Sequence, residues 1–368
     1  MNINNFFDDI LLTNSELIHS AVLKWLLNLS EANLSTEMKI NFISKLFGIE
    51  KKKIKGILTA KTEIHNIDIL VRTADYLFII ENKLRSSQHS GQLKKYQEEV
   101  KTRYSVEFGN NIEFYFLTLI EEKANITGWK NISYEHLLEC YNTIQFSNKS
   151  SEYIFTEYKY SLQNLIDSYE DFNQNTSNYK NVFTDGDKKK HEKDCSNLTS
   201  YQEYICKHQL ETVFQKAYFT RIASFIPNSK FIDYYITETH GNALIQFINK
   251  IFYYNGQRLE LGLQFQNGTF KINLRGDHTI SIKETNENNK KYILGSDLLD
   301  LFTETFRGKN GYKRYQPPSA HIYCSVTKKI DNNFYLITLT EIVENIIAEL
   351  KYIEQKWNIF SENEIIKI

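Results

Sequence analysis

The spacing of apolar residues separates helices from strands in the first part of the chain. Where Leu, Ile, Val and Phe recur every three to four positions, the pattern predicts an amphipathic helix, and short runs of β-branched and aromatic residues predict strands. Along the chain these patterns follow the order α-β-β-β-α-β. The predicted helices cover 15–28, 36–47, 90–101, 134–141 and 152–169, and the predicted strands cover 56–63, 66–72, 76–83 and 112–119.

A polar segment over residues 173–197 interrupts this pattern. It is rich in Asn, Asp and Lys and has almost no apolar periodicity, which is typical of a linker. We therefore predict a first domain over 1–172 and a second, α+β domain over 198–368. In the second domain the predicted helices cover 198–225, 296–306 and 340–357, and the predicted strands cover 231–237, 243–248, 258–264 and 270–273.

Two neighbouring predicted strands each carry an acid inside an apolar run. A buried charge is costly unless it is paired or bound to a metal. We therefore expect Asp68 and Glu81 to have a counter-charge or a bound metal. If Ala74 and Asp75 form a two-residue hairpin loop, counting back along both strands places Asp68 directly opposite Glu81. Directly opposed residues point to one face, with Cβ atoms roughly 4.5–5.5 Å apart. Lys83, two residues after Glu81, shares that face.

This trio of side chains predicts a particular chemistry. Two carboxylates at that spacing repel unless a cation lies between them, and hard oxygen ligands with open positions suit Mg²⁺ or Mn²⁺. A lysine beside the metal can orient the attacking water and stabilise the charge that develops on a phosphate. The trio therefore indicates hydrolysis of a phosphodiester. The structural alternative is that Asp68 ends a strand and forms a salt bridge with Lys83.

Further sequence blocks flank the trio along the chain. The blocks are Glu16-Leu17-Ile18-His19-Ser20, Trp25-Leu26-Leu27, Ile67-Asp68-Ile69, Glu81-Asn82-Lys83, Gly91-Gln92-Leu93-Lys94-Lys95-Tyr96, Leu117-Thr118, Trp129 and Ile132-Ser133-Tyr134. Together they resemble one branch of the PD-(D/E)XK nuclease superfamily, found among bacterial defence-type nucleases, over about residues 10 to 170. Ile67 replaces the proline of the superfamily's name, a residue that contacts no metal. The resemblance implies a restriction-endonuclease-like α/β core, with a mixed sheet flanked by helices.

The resemblance also implies roles for the residues of the hairpin. Asp68 and Glu81 would bind the metal, and the backbone carbonyl of Asn82 would add a ligand. Lys83 would be the catalytic lysine. The implied cofactor is Mg²⁺ or Mn²⁺.

Three residues outside the hairpin belong to the same expected site. Glu16, from the first helix, would complete the acidic cluster directly or through water. Gln92 and Tyr96 lie four apart on a helix, hence on one face, and would border the metal or the scissile phosphate. Two of the three have a structural alternative: Glu16 can complement a helix N-terminus, and Tyr96 can belong to the core. For His19 we favour a structural role.

Composition narrows the class of protein. The chain has 368 residues, 24% charged and 41% hydrophobic, which is ordinary for a soluble protein with room for two domains. The N-terminus lacks the pattern of a signal peptide, and no apolar run approaches the ~18 residues of a membrane span. Four cysteines at unrelated spacings fit a reducing cytoplasm. Residues 1–172 carry 19 Lys/Arg against 23 Asp/Glu, whereas 173–368 carry 25 against 22, so the second half is the more basic.

One basic segment, Arg307 to Tyr315, is a candidate nucleic-acid contact. It holds two tyrosines, two glycines and no acid. Cations would meet phosphates and rings would stack on bases. The alternative is an exposed loop. The four basic residues are Arg307, Lys309, Lys313 and Arg314.

Taken together, the trio and the resemblance predict a Mg²⁺-dependent endonuclease. The resemblance alone implies DNA as the substrate and a role in defence against foreign DNA. The second domain would supply substrate choice, regulation or dimerisation into a homo-oligomer. One alternative is a non-catalytic nucleic-acid-binding protein that keeps the nuclease fold. Another is a partner-sensing protein in which the nuclease half stays silent until triggered.

Overall fold

The chain divides into two units in a computed structural model. The first comprises residues 1–176 with 194–214, and the second comprises 177–193 with 215–368. This division comes later in the chain than the predicted domain boundary at 198, because the helix that follows the predicted linker packs against the first unit. The structure describes residues 5–56, 58–84, 92–120, 122–124, 126–176, 178–179, 198–239, 242–277, 282–288, 297–316, 322–330 and 337–362.

The helices of the first unit begin and end at local capping signals. Ser35 accepts a hydrogen bond from the N–H of Met38 at 3.1 Å, and Gly48 closes the same helix with a φ of 66°, a left-handed conformation that glycine adopts without strain. The described helices are α1 (Phe6–Asp9), α2 (Glu16–Asn28), α3 (Thr36–Phe47), α4 (Gln92–Phe108), α5 (Tyr134–Tyr141), α6 (Lys149–Gln174) and α7 (Ser200–Lys207).

Among the described residues, five strands form one mixed sheet in the first unit. The sheet order follows the chain order, with antiparallel pairing from β1 to β3 and parallel pairing from β3 to β5. This is the predicted restriction-endonuclease-like α/β arrangement, so the predicted fold class is confirmed. The last strand was not predicted. The strands are β1 (Thr59–Ile64), β2 (Ile67–Arg72), β3 (Leu77–Lys83), β4 (Ile112–Thr118) and β5 (Trp129–Ser133).

The hairpin between β2 and β3 has the predicted register. Arg72 pairs with Leu77, and the Thr73 N–H donates to the Tyr76 carbonyl at 2.9 Å, which leaves a two-residue loop. Strand β2 begins one residue later than predicted, because Asn66 has a φ of 61° and belongs to the preceding turn.

Helices cover the two faces of this sheet unequally. All seven residues of β3 are buried. Helix α4 packs on the face that carries Ile79, through Leu93 and Val100. The opposite face carries Phe78, whose ring stacks on Phe47 of α3 at 4.5 Å between centroids. Since alternate residues of a strand point to opposite faces, Glu81 and Lys83 lie under α4, and Asn82 points the other way.

The second unit is built on an antiparallel sheet of six described strands in the order β10-β11-β9-β8-β7-β6. The predicted second α+β domain is therefore present. The single helix predicted over 198–225 is broken at His208, because α7 ends there and a new helix begins at Glu211. The elements are α8 (Glu211–Phe225), β6 (Asp233–Thr239), β7 (Asn242–Tyr254), β8 (Gln257–Gln266), β9 (Thr269–Gly276), α9 (Ile282–Asn288), α10 (Asp297–Phe306), β10 (Arg314–Gln316), β11 (Ile322–Lys329) and α11 (Leu339–Ser361).

One face of the second sheet is polar even where it is buried. Gln246 and Asn273 are buried and hydrogen-bond to each other, with the Asn273 Nδ2 donating to Gln246 Oε1 at 2.8 Å. Gly262 lies between them, and a Cβ there would come within 2.5 Å of the Gln246 side chain. In the described part of the chain, no helix is long and apolar enough to cross a membrane.

Candidate active site

The C-terminal end of β3 presents a buried ion pair. Glu81 is only 1% exposed, and its Oε1 lies 2.7 Å from the Lys83 Nζ. The other carboxylate oxygen, Oε2, is buried and has no hydrogen-bond partner among the described residues. Buried polar atoms almost always have a partner, so an orphaned carboxylate oxygen marks a place where a ligand can bind.

Asp68 lies directly across from this pair. The ladder pairs Ile69 with Ile80, and one further step places Asp68 opposite Glu81, as predicted. The Asn82 backbone N–H donates to Asp68 Oδ2 at 2.7 Å. This bond holds the Asp68 carboxylate at the end of β3, on the same side as Glu81.

Burial and like charge shift the protonation of the three groups. Burial raises the pKa of Asp68 to about 6, against the hydrogen bond from Asn82 and the charge of Lys83. Burial, with the Asp68 charge as the second cause, raises the pKa of Glu81 to about 7. Burial lowers the pKa of Lys83, but the Glu81 carboxylate more than offsets this, and the net shift is upward. The site therefore holds two carboxyl groups that resist losing their protons, beside a lysine whose charged form is favoured.

Helix α4 brings two further predicted residues to the pair. The Gln92 Nε2 donates to Glu81 Oε1 at 3.0 Å and to the Tyr96 hydroxyl at 2.9 Å. Both side chains belong to the first turns of α4, which lies over this face of the sheet. Tyr96 is also part of the apolar core under α4. Gly91 of the same sequence block lies outside the described residues.

Glu16 comes from the first residue of α2 and reaches the end of β3. Its Oε1 accepts a hydrogen bond from the Leu84 N–H at 2.8 Å. Its charge also acts on Asp68, Glu81 and Lys83. The Glu16 carboxylate therefore lies near the Glu81–Lys83 pair and accepts a hydrogen bond from the backbone that follows β3.

Behind the site, Asn82 is fully buried in a polar network that the sequence did not reveal. Its Nδ2 donates to the Glu16 carbonyl at 3.0 Å and to Ser20 Oγ at 3.2 Å. Its Oδ1 accepts from the Tyr134 hydroxyl at 2.7 Å. The sequence blocks on α2, β3 and α5 thus meet at the Asn82 side chain. The resemblance of these blocks to the nuclease superfamily was the one signal in the sequence that marked these residues.

His19 has a structural role in the same region. One ring nitrogen lies 2.8 Å from the Tyr158 hydroxyl and the other 2.9 Å from the Thr13 carbonyl, while the ring packs edge-on against Tyr134. Burial lowers its pKa to about 4. A neutral, fully bonded imidazole is expected from these contacts.

Glu63 is a further acid that sequence reasoning missed. The β1–β2 ladder pairs Thr62 with Ile69, so Glu63 faces Asp68 from the other side. The charge of Glu63 contributes to the raised pKa of Asp68. Glu63 also has a φ of 55°, which is uncommon for a residue with a side chain.

The donor set fits a hard divalent cation of the magnesium type. Such an ion binds through one or two carboxylates and keeps several waters. Asp68, Glu81 Oε2 and the carbonyl of Asn82 would hold it. Among the described residues, no group of three His, Cys, Asp or Glu side chains is arranged to hold a metal.

In the second unit, the segment predicted to contact nucleic acid exposes its basic side chains but buries one of its tyrosines. The four basic side chains are exposed, as a contact surface requires. Tyr312 is fully buried instead, with its hydroxyl donating to Glu349 Oε2 at 2.9 Å. The expectation that this ring stacks on bases is therefore wrong. The four exposed residues are Arg307, Lys309, Lys313 and Arg314.

Comparison with known proteins identifies one relationship. The model of a family described as the PD-(D/E)XK nuclease superfamily matches residues 4–182. No curated protein and no solved structure matches the chain. The matched range contains every residue of the candidate site.

Proposed function

Residues 4–182 belong to the PD-(D/E)XK nuclease superfamily, and from this premise we propose that the chain is a metal-dependent endonuclease. The proposed substrate is DNA, and the proposed role is defence against foreign DNA in the cytoplasm. The second unit would contribute substrate choice, regulation or self-association.

Each site residue has a proposed task that follows from its contacts. Asp68 and Glu81 would hold a divalent cation with the Asn82 carbonyl, and Glu16 would add negative charge directly or through water. When bound, that cation polarises a phosphate oxygen and lowers the pKa of a bound water. Lys83 keeps a protonated ammonium beside the carboxylates, where an oxygen that gains charge can accept a hydrogen bond.

Two residues of α4 complete the proposed site. Gln92 fixes the orientation of the Glu81 carboxylate by donating to its Oε1. Because the Gln92 Nε2 also donates to the Tyr96 hydroxyl, the two side chains hold each other in place. Tyr96 closes the apolar side of the site and limits the access of water.

The observation that carries the proposal is the Oε2 of Glu81, which has no hydrogen-bond partner within the described ranges. It is buried opposite a second carboxylate and beside a lysine. Burial raises the pKa of both acids, against the charge of Lys83. A protein that only binds nucleic acid gains nothing from two carboxylates beside phosphate, since like charges repel. A bound cation removes that conflict.

A plasmid-nicking assay with Mg²⁺ or Mn²⁺ tests the proposal. We expect the wild type to cleave and Asp68→Ala and Lys83→Ala to lose activity by at least about 100-fold, the scale for removing one charge-stabilising group. Lys95→Ala, which removes an exposed lysine of α4, is the matched control and should cleave normally. Equal cleavage by all four proteins would eliminate the catalytic assignment.

A further inference from the structure

Three neighbouring strands of the second sheet are free of acidic residues. Strands β9 and β11 and the segment 307–316, which includes β10, contain eight Lys and Arg and no Asp or Glu. These strands lie side by side at one edge of the sheet. In a chain whose net charge is −1, this edge is a local concentration of positive charge.

Two of the eight cations are neutralised by acids from elsewhere. Arg275 lies 3.3 Å from Glu260, and Lys328 lies 2.5 Å from Glu349 of α11. Among the residues that the structure describes, the other six have no carboxylate within ion-pair distance. We call these six the basic edge: Lys271, Arg307, Lys309, Lys313, Arg314 and Lys329.

The ladder aligns part of the basic edge on one face of the sheet. Thr327 pairs with Lys271 on one side and with Arg314 on the other, so the two cations share a row and lie about 10 Å apart, two strand spacings. Lys329 follows two residues later on the same face. Lys328 points to the opposite face and contacts α11. The face with the unneutralised cations is therefore the one that α11 does not cover.

The loop part of the basic edge is anchored rather than free. Glu349 accepts from the Tyr312 hydroxyl at 2.9 Å and from the Asn310 Nδ2 at 3.2 Å. The Gly308 N–H donates to the Tyr312 carbonyl at 2.6 Å, and the Lys313 N–H donates to Thr327. Cations on an anchored frame lose little conformational freedom when an anion binds.

We propose that the basic edge binds the phosphate backbone of the nucleic-acid substrate. A row of cations with no acid among them suits a ligand with many regularly spaced negative charges. Lys271 adds to this argument, because its partial burial lowers its pKa and a bound anion would favour its charged form. The inference deepens the proposed function by assigning substrate binding to the second unit.

Fluorescence anisotropy with a labelled DNA duplex in EDTA tests the inference without cleavage. The variant Lys271→Gln/Arg314→Gln/Lys329→Gln should raise the Kd by about 10-fold or more. It should also reduce the slope of log Kd against log salt by about 2 to 3, because each lost phosphate contact lowers that slope by about 0.9. The control Lys250→Gln/Lys283→Gln/Lys351→Gln removes the same charge elsewhere in the unit and should change the Kd less than about 2-fold.

The outcomes separate this inference from the proposed function. Unchanged binding by the basic-edge variant overturns the inference, even if the wild type cleaves plasmid. Loss of binding supports it, even if no cleavage is found. Equal wild-type binding to phosphatidylserine vesicles would overturn the assignment to nucleic acid. Thermal unfolding of both triple variants checks that the fold is kept.

Discussion

Each unit of this protein buries a glutamate beside a lysine, and the two glutamates differ in what surrounds them. Glu349 receives hydrogen bonds from Tyr312 and Asn310 and pairs with Lys328, so both of its oxygens have donors. Glu81 pairs with Lys83 through one oxygen, and its other oxygen has no hydrogen-bond partner in the described part of the chain.

The difference separates a structural charge from a functional one. A buried carboxylate that is fully hydrogen-bonded fixes the elements around it, as Glu349 fixes the loop before β10. A buried carboxylate that faces a second acid makes the fold less stable unless something else binds there. A strongly perturbed carboxylate pair is a candidate functional site for that reason.

The sharpest test of this comparison replaces each glutamate by glutamine. Glu349→Gln should lower the free energy of unfolding by about 3 kcal/mol, because Lys328 loses its counter-ion. Glu81→Gln removes the counter-ion of Lys83 but also the repulsion with Asp68, so it should destabilise the metal-free protein by clearly less than Glu349→Gln does. Urea unfolding in EDTA at pH 8 measures both. A large loss in Glu81→Gln would show that its charge is structural too.

A second test uses pH. Burial and the Asp68 charge raise the pKa of Glu81 from 4.5 to about 7. The native state therefore keeps a proton that the unfolded chain has already lost, and stability falls as pH rises from about 4.5 to 7. The full effect is about 3 kcal/mol. Urea unfolding of the metal-free wild type and of Glu81→Gln between pH 5 and 8 measures it, and parallel curves for the two proteins would contradict it.

A third test addresses the frame behind the site. Asn82→Ala removes the partner of Ser20, of Tyr134 and of the Glu16 carbonyl, so we expect a loss of about 2 kcal/mol in stability. It should also weaken Mn²⁺ binding by about 10- to 100-fold, as outer-shell changes do. Calorimetric titration measures the second effect. Ser20→Ala, which removes only the 3.2 Å bond, is the control and should lose less on both counts.

The smallest expected effect concerns an unpaired surface cation. Lys309 is exposed and has no carboxylate within ion-pair distance among the described residues. Lys309→Ala should therefore change stability by less than about 0.5 kcal/mol. Thermal unfolding measures it. A loss as large as that of Glu349→Gln would mean that the loop depends on its cations as well as on its anchor.

Local features of the sequence were enough to predict the site's central geometry. A two-residue loop and period-2 alternation fix the register of β2 and β3 without reference to the rest of the chain. The observed ladder has that register, and its continuation by one step places Asp68 opposite Glu81. The bounds of the helices at Thr36–Phe47 and Tyr134–Tyr141 were likewise predicted from their own residues.

Features that depend on distant partners were not predictable. Trp129–Ser133 is a strand because β4 pairs with it in parallel, and nothing in those five residues alone requires it. Tyr312 is buried because Glu349, far along the chain, accepts its hydroxyl. The Asn82 network joins three elements that are separated by dozens of residues, so sequence blocks hinted at it without giving its contacts.

The position of β3 in its sheet has a consequence for the synthesis of the chain. β3 pairs with β2 through a local hairpin but with β4 only after α4 has crossed over. A nascent chain that has emerged as far as Lys83 carries both acids of the hairpin, yet it lacks Gln92 and the cover that α4 provides. The site is therefore incomplete until α4 and β4 have left the ribosome, and a nascent chain that ends before α4 lacks Gln92 and Tyr96.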